Sequence, residues 1–165
     1  LVLAPQTAVK GMLFWLMGDL GYAEHPLPAL LVLVALLIVV MPLAQAMNVL
    51  ALGRIKAQSL GVAVTGTEIL LFGLAAVATV TAVLFGGTIG FVGLIVPHLM
   101  RMLVMADHRW LIPSAVLAGG SFLTIADTIA RSAWAPLQFP VGVLTALLGV
   151  PVLLLLLAGR GDAAR

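Results

Sequence analysis

Residues 27–46 form a run of about twenty residues without a charged side chain. An α-helix rises about 1.5 Å per residue, so this run is long enough to cross about 30 Å of hydrocarbon. The other apolar runs are also continuous rather than alternating, which favours helices over strands. Of the 165 residues, 63% are hydrophobic and 8% are charged, whereas soluble domains carry roughly 25% charged residues. The sequence therefore predicts an all-α integral membrane protein.

The apolar runs predict a polytopic transmembrane helical bundle with about five spans, in one domain that comprises residues 1–165. Before the first span, residues 7–17 predict a short helix that lies at the membrane interface. Small residues are frequent in the second span, and such residues let membrane helices pack closely. The five predicted spans are residues 27–46, 65–85, 89–105, 111–131 and 139–158.

The cations predict the orientation of these spans. If the spans alternate in direction, two cations, Lys10 and Arg131, lie near one side. Six lie near the other: Arg54, Lys56, Arg101, Arg109, Arg160 and Arg165. Lys and Arg accumulate in short cytoplasmic loops, so we expect the larger group and the C-terminus to be cytoplasmic. The cations are scattered singly and form no basic stripe, so we expect membrane lipid and no nucleic acid as a partner.

Residues 48–61, NVLALGRIKAQSLG, connect the first two spans and are unusually apolar for a loop. Leu50, Leu52, Ile55 and Leu60 are spaced so that a short helix could present one apolar face. Such a helix can dock in a groove on a soluble partner. It can also lie against lipid with its cations at the headgroups. The pattern alone leaves both interpretations open.

His98, Asp107 and His108 cluster near one predicted membrane face, and imidazole and carboxylate groups are common zinc ligands. A third strong ligand at helical spacing is missing from the sequence. The favoured interpretation is that these residues bond to backbone groups that Pro97 frees, and that they cap the next helix.

Asp127 and Arg131 stand four residues apart on a predicted helix, with the acid on the N-terminal side, which is the favourable order. We predict that the two charges neutralise each other, because an unpaired charge within a membrane costs about 2.5 to 3.5 kcal/mol on insertion scales. A proton or ion relay is the functional alternative. The sequence has no Walker phosphate loop, nucleophile elbow, HExxH motif or cysteine. We therefore expect no catalytic site, cofactor or metal in this chain.

Several separate motifs resemble those of one transporter family, in that family's order. The chain resembles, over nearly its whole length, the FecCD family of permease subunits of ABC importers for iron-siderophores, haem and vitamin B12. Two of the matching motifs, Leu50-Ala-Leu-Gly53 and Ser59-Leu-Gly61, lie in the loop 48–61. The other residues that carry the resemblance are Gly90, Gly93, Pro97, His98, Arg101, Asp107, His108, Arg109, Asp127, Arg131, Pro140, Gly142, Gly149 and Pro151.

The resemblance implies that the chain is the C-terminal half of a ten-span permease in the bacterial cytoplasmic (inner) membrane. It implies three partners: a cytoplasmic ABC ATPase dimer, a second permease subunit that is identical or paralogous, and a periplasmic or lipoprotein substrate-binding protein. It also implies that the loop contacts the ATPases. Arg54 departs from the family, which commonly has an acid there, and Gln138 replaces a frequent acid. The implied contact residues are Leu50, Leu52, Gly53, Arg54, Ala57, Ser59, Leu60 and Gly61.

Two other functions are compatible with the residues. An ion-coupled carrier or an intramembrane enzyme could use His98, Asp107 and Asp127. The chain could also be a truncated remnant without function, because half a permease has half a pathway. ATP-dependent uptake, and its response to replacement of Asp127, would distinguish these possibilities.

Overall fold

The structure is a computed structural model, and it describes residues 6–22, 25–104, 106–132 and 139–161. This part of the chain contains seven α-helices, one 3-10 turn at Leu20–Tyr22, and no strand. The all-α helical architecture predicted from the sequence is confirmed. The helices are α1 (Gln6–Leu16), α2 (Pro26–Leu50), α3 (Arg54–Ser59), α4 (Val64–Gly86), α5 (Val92–Leu103), α6 (His108–Ser132) and α7 (Val141–Gly161).

Three of these helices, α2, α4 and α6, are long and apolar enough to cross a membrane. They include the predicted spans 27–46, 65–85 and 111–131 and extend beyond each of them. Helix α7 overlaps the predicted span 139–158. That five segments cross the membrane as one domain remains a prediction.

Helix α5 is shorter than the predicted span 89–105. It begins at Val92, because the chain leaves α4 through Gly87 with a φ of 68° and stays non-helical through Gly90. Its 12 residues rise only about 18 Å. Pro97 lies inside α5, and the helix continues through it to Leu103. Proline is tolerated inside membrane helices where neighbouring groups satisfy the freed backbone.

The helices pack through small side chains. Helix α2 lies against α4 and α6, and α5 lies against α6 and α7. Among the described residues, the buried set consists mainly of alanine and valine with one threonine, which permits close approach of helix backbones. Most large apolar side chains are exposed, so the described surface requires lipid or further protein to cover it. The fully buried side chains include Ala44, Ala57, Ala130, Val141 and Thr145.

The segment after α1 contacts the start of α7 through backbone atoms. The Gly142 N–H donates to the Gly18 carbonyl over 3.2 Å. A second contact involves the link between α4 and α5, where the Thr88 hydroxyl donates to the carbonyl of Leu16, the last residue of α1. A Cβ atom at Gly142 would overlap the Met17 carbonyl, so glycine is needed for this approach. The helix predicted at residues 7–17 is present as α1, and the turn that follows it is held against α7.

Candidate functional site

Helix α3 is a single short helix between α2 and α4, with a glycine on each side. Gly53 has a φ of 104° and Gly61 a φ of 84°, values that side-chain-bearing residues rarely adopt. Ala57 is buried, and its N–H donates to the Gly53 carbonyl over 3.0 Å. The Val62 N–H donates to the Ala57 carbonyl, also over 3.0 Å. These bonds give the loop predicted at residues 48–61 a compact folded form.

The apolar side chains of this loop point away from the rest of the described chain. Leu52 is 59% exposed, Ile55 is 84% exposed and Leu60 is 65% exposed. Lys56 is exposed beside them, whereas Leu50 is only half-exposed because it belongs to the last turn of α2. We call Leu52, Ile55, Lys56 and Leu60 the α3 surface. Apolar side chains exposed to this extent mark a surface that contacts lipid or another protein.

An ion pair joins α3 to α4. The Arg54 Nη2 atom lies 3.1 Å from the Glu68 Oε2 atom, and the two side chains are 64% and 31% exposed. Glu68 lies near the start of the predicted span 65–85, and no helical spacing relates it to Arg54. The structure brings them together by the turn between Ser59 and Val64. Arg54 therefore has an acidic partner within its own chain.

Asp107 caps α6, as predicted. Its Oδ1 atom accepts a hydrogen bond from the Arg109 N–H over 2.9 Å, and its carbonyl accepts one from the Leu111 N–H, also over 2.9 Å. The Arg109 N–H and the side-chain amide of Asn48 hold the pKa of Asp107 below its ordinary value of 3.8. His108 is the first residue of α6.

Asn48 is a partner of this cap that the sequence reasoning missed. Its Nδ2 atom donates to Asp107 Oδ1 over 2.7 Å, and its Oδ1 atom accepts from the His108 N–H over 2.9 Å. The His108 Nδ1 atom lies 2.6 Å from the same oxygen. The available signal was an amide side chain near the end of an otherwise apolar helix, because a polar group that is not exposed there requires a partner. Asn48 links the last turn of α2 to the first turn of α6.

His98 is half-buried in the middle of α5, and Arg101 is exposed in its last turn. The structure does not join His98 to Asp107 and His108 in a potential metal site. Within residues 6–22, 25–104, 106–132 and 139–161, no three His, Cys, Asp or Glu side chains form a group that could hold a metal ion.

Asp127 and Arg131 pair as predicted, with Arg131 Nε 2.8 Å from Asp127 Oδ2. The pair lies in the last turns of α6, not at the helix centre. Asp19, in the turn after α1, lies near the same guanidinium, with 3.9 Å between its Oδ1 and Arg131 Nη2. The Gly21 N–H donates to that oxygen over 2.8 Å. Arg131 thus joins the end of α6 to the segment that follows α1.

The remaining motif residues lie around α5 and α7. Gly90 and Gly93 line a cavity of about 850 Å³ together with Thr88 and Leu123. Pro140 and Gly142 are buried at the start of α7, and Pro151 lies inside that helix. A Cβ atom at Gly149 would overlap the side chain of Phe91, a non-glycine residue with a φ of 66°. Gly149 therefore lets α7 approach Phe91, the residue before α5.

Three long apolar helices, with ionic contacts near helix ends and loops, define this chain as a helical membrane protein. Residues 1–159 match the model of the FecCD transport family. The chain belongs to that family.

The chain is similar to several curated permeases. It is 47% identical over 154 residues to the cobalamin import system permease protein of Halobacterium salinarum, covering 92% of this chain and 41% of that protein. It is 46% identical to the hemin transport system permease protein of Yersinia pestis, covering 87% of this chain and 43% of that one. It is 39% identical to the vitamin B12 import system permease protein of Escherichia coli, covering 92% of this chain and 48% of that protein. The chain therefore spans about half the length of these relatives.

A solved structure shares the fold. It is described as an inward-facing conformation of a metal-chelate type ABC transporter, and it superposes with a TM-score of 0.84 at 31% identity. The match covers 95% of this chain and 53% of the other. The helical arrangement is therefore that of part of a known transporter structure.

Proposed function

We propose that this chain is part of a permease subunit of an ABC importer, and that the importer moves a chelate such as cobalamin, haem or an iron-siderophore inward. The observation that carries the proposal is the 47% identity over 92% of the chain to a cobalamin import permease. The similarity to a hemin permease and to a metal-chelate transporter structure supports the same class of solute.

In this proposal the chain hydrolyses no ATP and works with partners. An ABC ATPase dimer lies on the cytoplasmic side, a second permease subunit, identical or paralogous, completes the pathway, and a substrate-binding protein delivers the solute. The excess of cations in alternate loops supports a multi-pass topology in the cytoplasmic membrane with α3 and the C-terminus inside.

The α3 surface is the proposed docking site for the ATPase. Its exposed Leu52, Ile55 and Leu60 are suited to occupy a groove on a soluble partner, and Lys56 supplies a cation at the edge. The Arg54–Glu68 pair joins α3 to α4, so a displacement of α3 acts on a long helix. Shifting a 1:99 equilibrium to 99:1 requires about 5.5 kcal/mol of differential binding. The α3 surface must therefore make contacts that differ between the inward-open and outward-open states.

The test is replacement of Ile55 by glutamate in the full-length permease. Ile55 suits this test because it is 84% exposed, whereas a bulky charge at the buried Ala57 would also disrupt the loop itself. We expect Ile55→Glu to lose co-purification of the ATPase and ATP-dependent uptake in proteoliposomes. Ile55→Met, which stays apolar, should retain both. Leu103→Glu places the same charge at a 75% exposed leucine at the end of α5 and should retain assembly.

Normal assembly and uptake in Ile55→Glu would contradict docking at the α3 surface. If the unaltered complex accumulated neither cobalamin, haem nor a ferric siderophore in an ATP-dependent way, the proposed class of solute would be wrong.

A further inference from the structure

The side chain of Asn48 uses both ends of its amide at one helix junction. The Oδ1 atom accepts from the backbone N–H of His108 over 2.9 Å and lies 2.6 Å from its Nδ1 atom. The Nδ2 atom donates to Asp107 over 2.7 Å. A flipped amide would place its oxygen against the carboxylate and its N–H groups against a donor, so the partners fix its orientation.

The other half of this junction is the cap of α6. Asp107 accepts from both the Arg109 N–H and the Asn48 amide through one carboxylate oxygen, while its carbonyl accepts from the Leu111 N–H. A carboxylate at this position satisfies backbone donors of the first helical turn and interacts favourably with the helix dipole. Asn48 therefore holds the residue that caps α6.

Asn48 is also close along the chain to α3. It lies in the last turn of α2, and α3 begins at Arg54. The connection is continuously hydrogen-bonded, because the Leu52 N–H donates to the Val49 carbonyl over 3.1 Å and the Gly53 N–H to the Leu50 carbonyl over 2.9 Å. The chain between Asn48 and α3 is therefore a folded turn, through which a displacement of α3 reaches the Asn48 side chain.

We propose that Asn48 is the positioning residue through which a displacement of α3 is transmitted to α6. This inference rests on the proposed docking of the ATPase at the α3 surface. Helix α6 has 25 residues and is about 37 Å long. Its far end carries Arg131, which pairs with Asp127 and lies near Asp19. A tilt of α6 imposed at Asp107 therefore reaches this charged group at the opposite end of the helix.

Three variants of the full-length permease, assembled with its ATPase and binding protein in proteoliposomes, test this role. Asn48→Leu removes the amide at similar volume. The reciprocal swap, Asn48→Asp with Asp107→Asn, restores one carboxylate and one amide in exchanged positions, and asparagine remains a good helix cap. Gln45→Ala is the matched control, because Gln45 is an exposed amide one turn earlier in α2.

The readout is uptake of the probe solute per ATP hydrolysed, at equal amounts of assembled complex. The probe is cobalamin, haem or a ferric siderophore, whichever the unaltered complex accumulates. We expect Asn48→Leu to lower this ratio about tenfold, within the range typical of coupling between sites, while ATP hydrolysis continues. The swap should restore most of the ratio, and Gln45→Ala should leave it unchanged. A helix cap with a structural role alone would change the amount of assembled complex and not this ratio.

Amide hydrogen exchange separates this proposal from the docking proposal. The Ala57 N–H, bonded to the Gly53 carbonyl, reports on α3, and the Leu111 N–H, bonded to the Asp107 carbonyl, reports on the start of α6. In the unaltered complex, ATP should change exchange at both, and in Asn48→Leu only at α3. An effect of ATP at α3 without one at Leu111 in the unaltered complex would overturn the role of Asn48 alone. No effect at α3 would overturn the docking proposal as well.

Two further results test the role of Asn48. An unchanged ratio of uptake to ATP hydrolysis in Asn48→Leu would overturn the proposal. If that variant does not assemble, Asn48→Asp alone replaces it, because the new carboxylate repels Asp107. This variant should be uncoupled while the reciprocal swap is coupled, and equal ratios for the two would overturn the proposal.

Discussion

Arg54 and Glu68 form an ion pair of 3.1 Å between α3 and α4, and both side chains are partly exposed. Exposed ion pairs contribute about 0 to 1 kcal/mol, so this contact matters less for stability than for the position of α3. The pair joins α4 to a helix whose Ile55 side chain is 84% exposed.

Replacing Glu68 by glutamine should test that orienting role. We expect the free energy of unfolding in detergent to fall by less than about 1 kcal/mol, because the pair is solvated. ATP-dependent uptake should fall more clearly, because α3 loses its tie to α4. The reversed pair, Arg54→Glu with Glu68→Arg, is the control and should recover uptake. Equal uptake in Glu68→Gln and the unaltered permease would show that the pair has no orienting role.

Replacing Gly142 by alanine should separate the segment after α1 from α7. The new Cβ atom would overlap the Met17 carbonyl and lie within 3.2 Å of the Thr88 carbonyl. We expect the free energy of unfolding to fall by about 1 to 3 kcal/mol, as in other overpacked sites. The matched control is Gly73→Ala in α4, where the added atom has nothing within 4 Å and should not destabilise the protein. Similar melting temperatures for the two variants would contradict this packing.

Replacing Asp127 by asparagine should reveal whether the pair with Arg131 neutralises charge or carries ions. The pair is 2.8 Å long, whereas Asp19 lies 3.9 Å from the same guanidinium. We therefore expect Asp127→Asn to lower the melting temperature more than Asp19→Asn does. Uptake by the assembled complex should remain ATP-dependent and close to normal. Its loss in Asp127→Asn with assembly intact would favour the ion-coupled carrier instead.

The carboxylate of Asp107 should titrate below its ordinary pKa of 3.8, because the Arg109 N–H and the Asn48 amide bond to its ionised form. A lowered pKa in the folded state stabilises the protein above the unfolded-state value, and this contribution is lost as pH falls through the folded-state value. The contribution of Asp107 to the free energy of unfolding should therefore be constant from about pH 5 to pH 8 and fall only below about pH 3.8.

Carbon-13 NMR of the labelled carboxyl group in detergent measures this titration. Asn48→Leu should raise the midpoint towards 3.8, because one of the two bonds is removed. Gln45→Ala should leave the midpoint unchanged. A midpoint at or above 3.8 in the unaltered protein would show that these bonds do not form in solution.

The local sequence determined the helical membrane class, the approximate position of each helix, the cap at Asp107 and the pairing of Asp127 with Arg131. Each depends on residues a few positions apart, where apolar length, helical spacing and capping chemistry act directly. The family motifs also identified the family. The apolar surface formed by Leu52, Ile55 and Leu60 could be predicted for the same reason, because these residues lie within one short segment.

Only the tertiary structure decided which helices exchange polar contacts. Asn48 and Asp107 are 59 residues apart, and no sequence period relates them. The same holds for Gly18 and Gly142, whose backbones meet only because glycine leaves room. The tertiary structure also shows that α5 is shorter than the predicted span, because the chain leaves α4 through Gly87, which has a positive φ. Such contacts depend on how neighbouring helices are aligned along their axes and how closely they approach. The hydrophobic pattern of a helix determines which face is buried, but it does not determine that alignment.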